Sequence, residues 1–283
     1  MLRAATRQNT AEIDRFLALY TETSMFLRGN LAAHGIGAAH RHGTDFFLWS
    51  PGQAIEAVFG VTNGGYVMCQ NPGLNEQAVE AFVAQVKHRS IAGITGDSDQ
   101  VDQILRCQSF PQQSWKVSVD EPLFTLHLSR LPSEDDVDMV RSADAADRDL
   151  LISWFQQYEV DAGLSRPGPA VDARAKQSAE AAIVNDDLRL YCEGDQPVAM
   201  TAFNARVPEC VQVGGVFVPR DRRNSGLARR IVTAHLHQAK AEGVDRAILF
   251  ASSPQAARAY TAIGFGQIGT YRVQLAADPP RCQ

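Results

Sequence analysis

Between Pro219 and Ile231 the chain reads "PRDRRNSGLARRI", which gathers Arg220, Arg222, Arg223, Arg229 and Arg230 around a Ser225–Gly226 pair. The preceding run "CVQVGGVFV" is apolar and strand-like, and the following Leu227, Ile231, Val232 and Leu236 recur at helical spacing. A glycine-containing turn that feeds a helix presents unpaired backbone N–H groups and the positive end of the helix dipole. Phosphate binds well at such a turn, and glycine lets the ligand approach the backbone closely. Flanking guanidiniums add forked, charge-assisted contacts. Cations in a first helical turn are otherwise unfavourable by a few tenths to about 1 kcal/mol, a penalty that a bound anion removes. The GK[ST] of a Walker loop and the GxGxxG of a dinucleotide-binding turn are both absent. The turn therefore reads as a cradle for a phosphate-bearing ligand of another class.

Further on, "SPQAARAYTAIGF" (253–265) places Ala256, Tyr260, Gly264 and Phe265 one helix and one strand beyond the cradle. Together the two stretches resemble the paired signatures of the GNAT N-acetyltransferases. The first, [Q/R]-x-x-G-x-[G/A], is met by Arg223, Gly226 and Ala228; in the second, Ser253 stands where the family carries asparagine. The resemblance spans roughly residues 133–275. It implies acetyl-CoA as cosubstrate, an amine acceptor and no metal. It also implies that the backbone of Val216, Phe217 and Val218 holds the pantetheine arm. Arg223, Asn224, Ser225, Gly226, Leu227, Ala228 and Arg229 would cradle the diphosphate, with Ser253 and Tyr260 completing the cofactor site. Tyr260 would protonate the leaving thiolate; a phenol with an ordinary pKa of about 10 suits a thiolate of about 8.5. For the base, the position that carries a carboxylate in some members is Gln212 here. Glu209, three residues earlier, is the nearest alternative on that segment, and Glu159 and Asp161 lie on a helix expected to border the acceptor. An acyl-CoA-binding protein without catalysis is the alternative that this departure keeps open.

These groups need elements to position them. "NTAEIDRFLALYTETSMFLRGNLAAHG" has helical periodicity and a glycine stop, followed by strand-like runs at 45–50, 53–63 and 64–70. A helix over 75–88, a strand near 90–96, a helix from 98 and a strand at 123–131 complete a first half. From Pro132 the same order returns, ending in the strands at 188–194, 197–207 and 210–218, the helix from Leu227, the strand 246–252, the helix 254–264 and a strand near 269–275. The chain thus reads as α/β (α+β), two tandem GNAT-like folds, each a mixed, mostly antiparallel sheet flanked by helices. The boundary is expected between 1–131 and 132–283. "TSMFLRGNL" and "GDSDQVDQIL" resemble the N-terminal half of two-domain members of the superfamily. There "CQNPGLNEQAVEAF" occupies the place of the arginine turn, has no basic residue, and puts Glu76 at a helix start. The N-terminal half is therefore expected to bind no cofactor, and to shape the acceptor cleft or a dimer surface.

The 283 residues carry a formal charge of −5, with 45% hydrophobic and 21% charged residues, which suits a globular chain and argues against a general nucleic-acid binder. Five scattered cysteines without CxxC spacing point to a reduced, cytoplasmic protein and not to a disulfide framework or a zinc site. No apolar run reaches the roughly 18 residues of a membrane helix, and the N-terminus lacks a signal-peptide core. The group His34, His40 and His42 lacks companion carboxylates and reads as an ordinary loop. His235 and His237 lie two apart on a helix and do not converge. The acidic run 133–138 reads as a linker.

Overall fold

The computed structural model describes residues 1–133, 136–162 and 167–277. Glu134 and Asp135 of the acidic run, and part of the Pro/Gly loop expected around 166–168, lie outside them. The fold is mixed α/β, with mostly antiparallel sheets flanked by helices, as the sequence patterns predict. By contacts the chain forms two compact units, 1–122 with 269–283, and 123–268.

The first unit opens with β1 (Leu2–Ala4) and the helices α1 (Thr10–Leu17) and α2 (Thr21–His34). The helical stretch expected from Asn9 to Gly35 forms these two helices, separated by a 3-10 turn at Ala18–Tyr20. Strands β2 (Thr44–Trp49), β3 (Ala57–Thr62) and β4 (Tyr66–Gln70) follow as an antiparallel meander, then α3 (Glu76–Val86), β5 (Gly93–Asp97) and α4 (Ser98–Arg106). Only β4–β5 is parallel, with Tyr66 opposite Gly93, as a strand–helix–strand crossover requires. The core against α3 stacks Phe59 on Phe82 with centroids 4.6 Å apart.

The second unit repeats this order: β7 (Val140–Ser142), α5 (Arg148–Asp161), α6 (Pro169–Asn185), then β8 (Leu188–Glu193), β9 (Gln196–Val207) and β10 (Cys210–Phe217). After them come α7 (Leu227–Ala241), β11 (Arg246–Phe250) and α8 (Pro254–Thr261). Again one pair, β10–β11, is parallel and its neighbours are antiparallel. Helix α7 buries Leu227, Ile231, Val232 and Leu236 against Val211, Val213 and Leu249, so the helical spacing seen in the sequence does face a core.

The strand that closes each sheet comes from the opposite end of the chain. The second half of β6 (Trp115–His127) pairs with β11 from Leu123↔Phe250 to His127↔Arg246. The last strand, β12 (Gly266–Ala276), pairs with β5 from Tyr271↔Asp97 to Leu275↔Gly93. Arg272 holds β12 there, donating to Asp102 at 2.8 Å and forking onto Asp120. The two units therefore differ from a cut at residue 131 by one exchanged strand each. Strand β6 starts at Trp115, eight residues before the start expected at Leu123.

Burial also sets a pH response. Asp147, buried in the second unit, accepts a fork from Arg141 at 2.6 and 2.8 Å. The Arg141 guanidinium holds its carboxyl below the ordinary carboxylate range, against the opposing effect of burial. A lowered folded value means that the pair contributes stability above the unfolded carboxylate pKa of about 3.9, lost as pH falls through the folded value. Urea unfolding at pH 7 and below pH 4 checks this: Asp147→Asn should lower stability at neutral pH and flatten the acid limb of its pH dependence.

Candidate active site

Strand β10 carries the site because of where its pairing stops. It runs with β11 only from Cys210↔Arg246 to Val213↔Leu249. On its other side the register with β9 shifts twice, between Gln212 and Val213 and between Gly214 and Phe217. The first shift puts the extra residue on β9, at Asn204, whose side chain lies on Gly214: a Cβ there would fall 1.9 Å from Asn204 Nδ2. The second puts it on β10, where Gly215 has φ 58°. Such bulges re-aim a strand. Beyond Val213 the backbone of β10 leaves β11, keeps only a bulged pairing with β9 at Gly214↔Ala202 and Phe217↔Met200, and borders a cavity of about 450 Å³.

That cavity lies wholly within the second unit. Val216, Phe217 and Val218 form one wall; Gln255, Ala256, Ala259 and Tyr260 of α8 form the opposite one. The turn from Arg222 to Arg229 closes one end, and Tyr158, Asp161 and Ala162 from the end of α5 complete the lining. Tyr260 is 8% exposed and packs edge-to-face on Phe265 at 6.1 Å, which explains the spacing of the "AYTAIGF" motif.

At the turn, Asn224 and Gly226 both take positive φ, 63° and 85°. Gly226 is the N-cap of α7 and has no side chain to satisfy the helix's first amides. Its carbonyl accepts from Arg229 and Arg230. Among the described residues, the backbone N–H groups of Asn224, Ser225, Gly226, Leu227 and Ala228 meet no protein acceptor. Consecutive amides in this conformation make a concave anion nest.

The arginines are less available than their number suggests. Arg230 forks onto Asp136 at 2.7 and 2.8 Å and lies 5.0 Å over the Tyr191 ring. Tyr191 donates to the same Asp136, and its hydroxyl is pushed up to about 12, chiefly by burial. Arg222 pairs with Glu193 at 3.0 Å. Arg220 and Arg223 both bind Asp161, and Arg223 also donates to the Val218 carbonyl. The two guanidiniums hold the Asp161 carboxyl below its ordinary range. Among the described residues, Arg229 alone of the five has no carboxylate partner, and its Nη2 lies 3.4 Å from where a Gly226 Cβ would stand.

Of the residues singled out in the sequence, Val216, Phe217, Val218, Arg223, Asn224, Ser225, Gly226, Leu227, Ala228, Arg229 and Tyr260 meet in this one cavity. Two do not. The Ser253 hydroxyl is the N-cap of α8, accepting from Ala256 N–H at 3.1 Å, while the neighbouring Ser252 lines the cavity. A polar residue before a helix caps it by default, so one position of sequence displaced the expectation. Glu209 lies at the opposite end of β10, roughly 20 Å away at about 3.3 Å per residue, and borders a separate cleft with Lys240 and Asp245. It does not line the cavity that holds Tyr260. Gln212 is buried inside the sheet and donates to the Val213 carbonyl at 2.8 Å; Glu159 is held by Arg174 at 2.8 Å. Asp161, expected from the sequence on a helix bordering the acceptor, does line the cavity, with its carboxylate engaged by Arg220 and Arg223; Tyr158 joins it from α5, and no local motif linked that residue to a site 60 residues later.

The remaining candidates fall elsewhere. His34 and His40 stack at 4.2 Å, with His42 5.4 Å from His40; His42 is lowered to about 4, first by burial and then by Arg41 and its histidine neighbours. Among the described residues no His, Cys, Asp and Glu cluster is arranged to hold a metal. His235 stacks on Phe203 at 3.7 Å, a core contact. Cys69, Cys107, Cys192 and Cys210 are free thiols, and no described helix is long and apolar enough to cross a membrane.

Comparison with known proteins agrees with this geometry. Residues 149–265 match the model of the Acetyltransferase (GNAT) family. No curated protein matches the chain. Among solved structures, a GCN5-related N-acetyltransferase from Sphaerobacter thermophilus is 13% identical with a TM-score of 0.58, covering 97% of this chain and 94% of its own. A GNAT-family acetyltransferase from Colwellia psychrerythraea is 12% identical at TM-score 0.53, covering 97% and 99%. A tandem GNAT protein from the clavulanic acid biosynthesis pathway is 11% identical at TM-score 0.53, covering 100% of both chains. At these identities the solved structures establish the fold, and the matched segment contains the split strand, the amide nest and Tyr260. Residues 149–265 thus match the GNAT acetyltransferase family, and the chain as a whole shares the tandem GNAT fold.

Proposed function

We propose that the protein is an acetyl-CoA-dependent N-acetyltransferase whose reaction takes place in the cavity of the second unit. The observation that carries this reading is the run of five open amides at Gly226, on residues that line the same cavity as Tyr260 and the stretch of β10 beyond its pairing with β11. Bound there, acetyl-CoA supplies an activated acyl group. The amides from Asn224 to Ala228, with Arg229, would hold its diphosphate, and the backbone of Val216–Val218 would take the amide-rich pantetheine arm as a sheet takes a strand. Backbone N–H groups at the β10 bulge would polarise the acetyl carbonyl. Tyr260 would give its hydroxyl proton to the departing sulfur as an acceptor amine attacks. With Gln212 at the strand position and Glu159 tied to Arg174, the chain offers no carboxylate base on β10 facing this cavity. The acceptor amine would lose its proton to solvent. That same feature is what favours the second reading, an acyl-CoA-binding protein without turnover.

The first half, by this proposal, binds no cofactor. Its corresponding turn spends its donors internally: Asn71 N–H on Gln100 Oε1 at 2.6 Å, Leu74 N–H on the Asn71 carbonyl at 2.9 Å, and Asn75 N–H on Asn71 Oδ1 at 3.2 Å. Asn75 then caps Ala78 N–H at 3.0 Å, and Glu76 opens the helix with a negative charge. Four carboxylate-paired arginines likewise argue against a nucleic-acid surface at the second unit's turn. The test is CoA release from acetyl-CoA against a panel of small and peptide amines. The proposal expects turnover with at least one amine class; saturable acetyl-CoA binding with no turnover on any would replace it with the binding-protein reading.

A further inference from the structure

The carboxylate of Asp161 lies on the lining of the cavity and binds two guanidiniums of the turn that cradles the diphosphate in the reading above. Both arginines come from the segment immediately before the amide nest, and Asp161 comes from the last residue of α5. Arg223 is fixed by its second bond to the Val218 carbonyl, at 3.1 Å, so its guanidinium stays at the mouth of the cavity when Asp161 lets go. With Asp161 in place, Arg229 is, among the described residues, the arginine of the turn without a carboxylate partner. We propose that Asp161 is an internal anion that competes with the cosubstrate's diphosphate for Arg220 and Arg223, and so sets the affinity and charge selectivity of the cofactor site.

The physical basis is an exchange of like for like. A diphosphate entering the nest meets Asp161 as a repelling neighbour and Arg223 as a guanidinium already neutralised. Accepting the ligand with full strength requires the carboxylate to turn away. The exchange is easy because the two arginine side chains are 69% and 41% exposed, and ion pairs at such exposure contribute little. A bidentate contact with phosphate oxygens outcompetes a single shared carboxylate. Asp161 therefore weakens every anionic occupant of the nest, and leaves untouched any ligand that fills the pantetheine channel without a diphosphate.

This inference rests on the cofactor reading, and calorimetric titration separates the two. Wild type, Asp161→Asn and Asp161→Ser are each titrated with CoA and with S-acetylpantetheine, at low and at high sodium chloride. The expected result is CoA binding about three- to tenfold tighter in both neutral variants, a difference that shrinks as salt screens the charges, with S-acetylpantetheine unchanged. Equal or weaker CoA binding in the variants would overturn the competition while leaving the cofactor reading standing, and would make Asp161 a brace for the turn. An equal gain for S-acetylpantetheine would overturn it as well, because the effect would then come from channel shape. Wild-type protein that binds no CoA would overturn both.

Discussion

Gly226→Val is expected to abolish most acetyl-CoA binding while the protein stays folded. Gly226 sits at φ 85°, and a side chain in that left-handed region costs roughly 1–2 kcal/mol. No steric clash adds to this, because the nearest atom to a Cβ is Arg229 Nη2 at 3.4 Å. The loss of stability should therefore lower Tm by only about 2–8 °C. Binding suffers far more. The new isopropyl group would stand among the amides of 224–228 and push Arg229 aside, removing two or more charge-assisted hydrogen bonds to a diphosphate. At about 1.5–3 kcal/mol each, two lost bonds correspond to roughly a 10²–10⁴-fold weaker Kd. Differential scanning calorimetry and binding titrations on the same preparation separate the two effects. Unchanged affinity in a folded variant would mean that the ligand does not use this nest.

Tyr260→Phe should act on rate and not on binding. The ring is buried and packs against Phe265, and phenylalanine keeps that packing. What disappears is the hydroxyl, the one proton donor that α8 contributes to the cavity wall facing β10. Proton transfer by a positioned acid typically contributes about 10²–10⁴-fold, so kcat should fall by about 100-fold or more while the Kd for acetyl-CoA stays within about threefold. Steady-state kinetics with an amine that turns over, paired with direct cofactor binding, give both numbers. Parallel loss of rate and affinity would assign Tyr260 to cofactor binding, and a rate within a few-fold of wild type would remove it from the chemistry.

How much of this was legible in the sequence depended on whether the information was local. The Ser225–Gly226 turn, the apolar stripe of α7 and the spacing of Tyr260 to Phe265 are all contained within short windows; the structure puts the turn and Tyr260 on one cavity and the stripe and Phe265 in the core behind it. The exchange of β6 and β12 was not legible, because pairings such as Leu123↔Phe250 and Leu275↔Gly93 join residues more than a hundred positions apart. Sequence distance also hid Tyr158, which reaches the cavity from α5. The sequence also overcounted the arginines: their charge is visible in any composition, whereas the carboxylates that engage them, Asp136, Asp161 and Glu193, come from three separate elements. Glu209 lies off the cavity that holds Tyr260 for a geometric reason, since a strand carries its two ends far apart.

The account's central claim is that one half of this tandem fold, and only that half, holds the acyl-CoA. Isothermal titration of acetyl-CoA into the full-length chain measures it through the stoichiometry. The account predicts one site per chain, and its loss in Gly226→Val. Two sites per chain, or one site that survives in Gly226→Val, would contradict it.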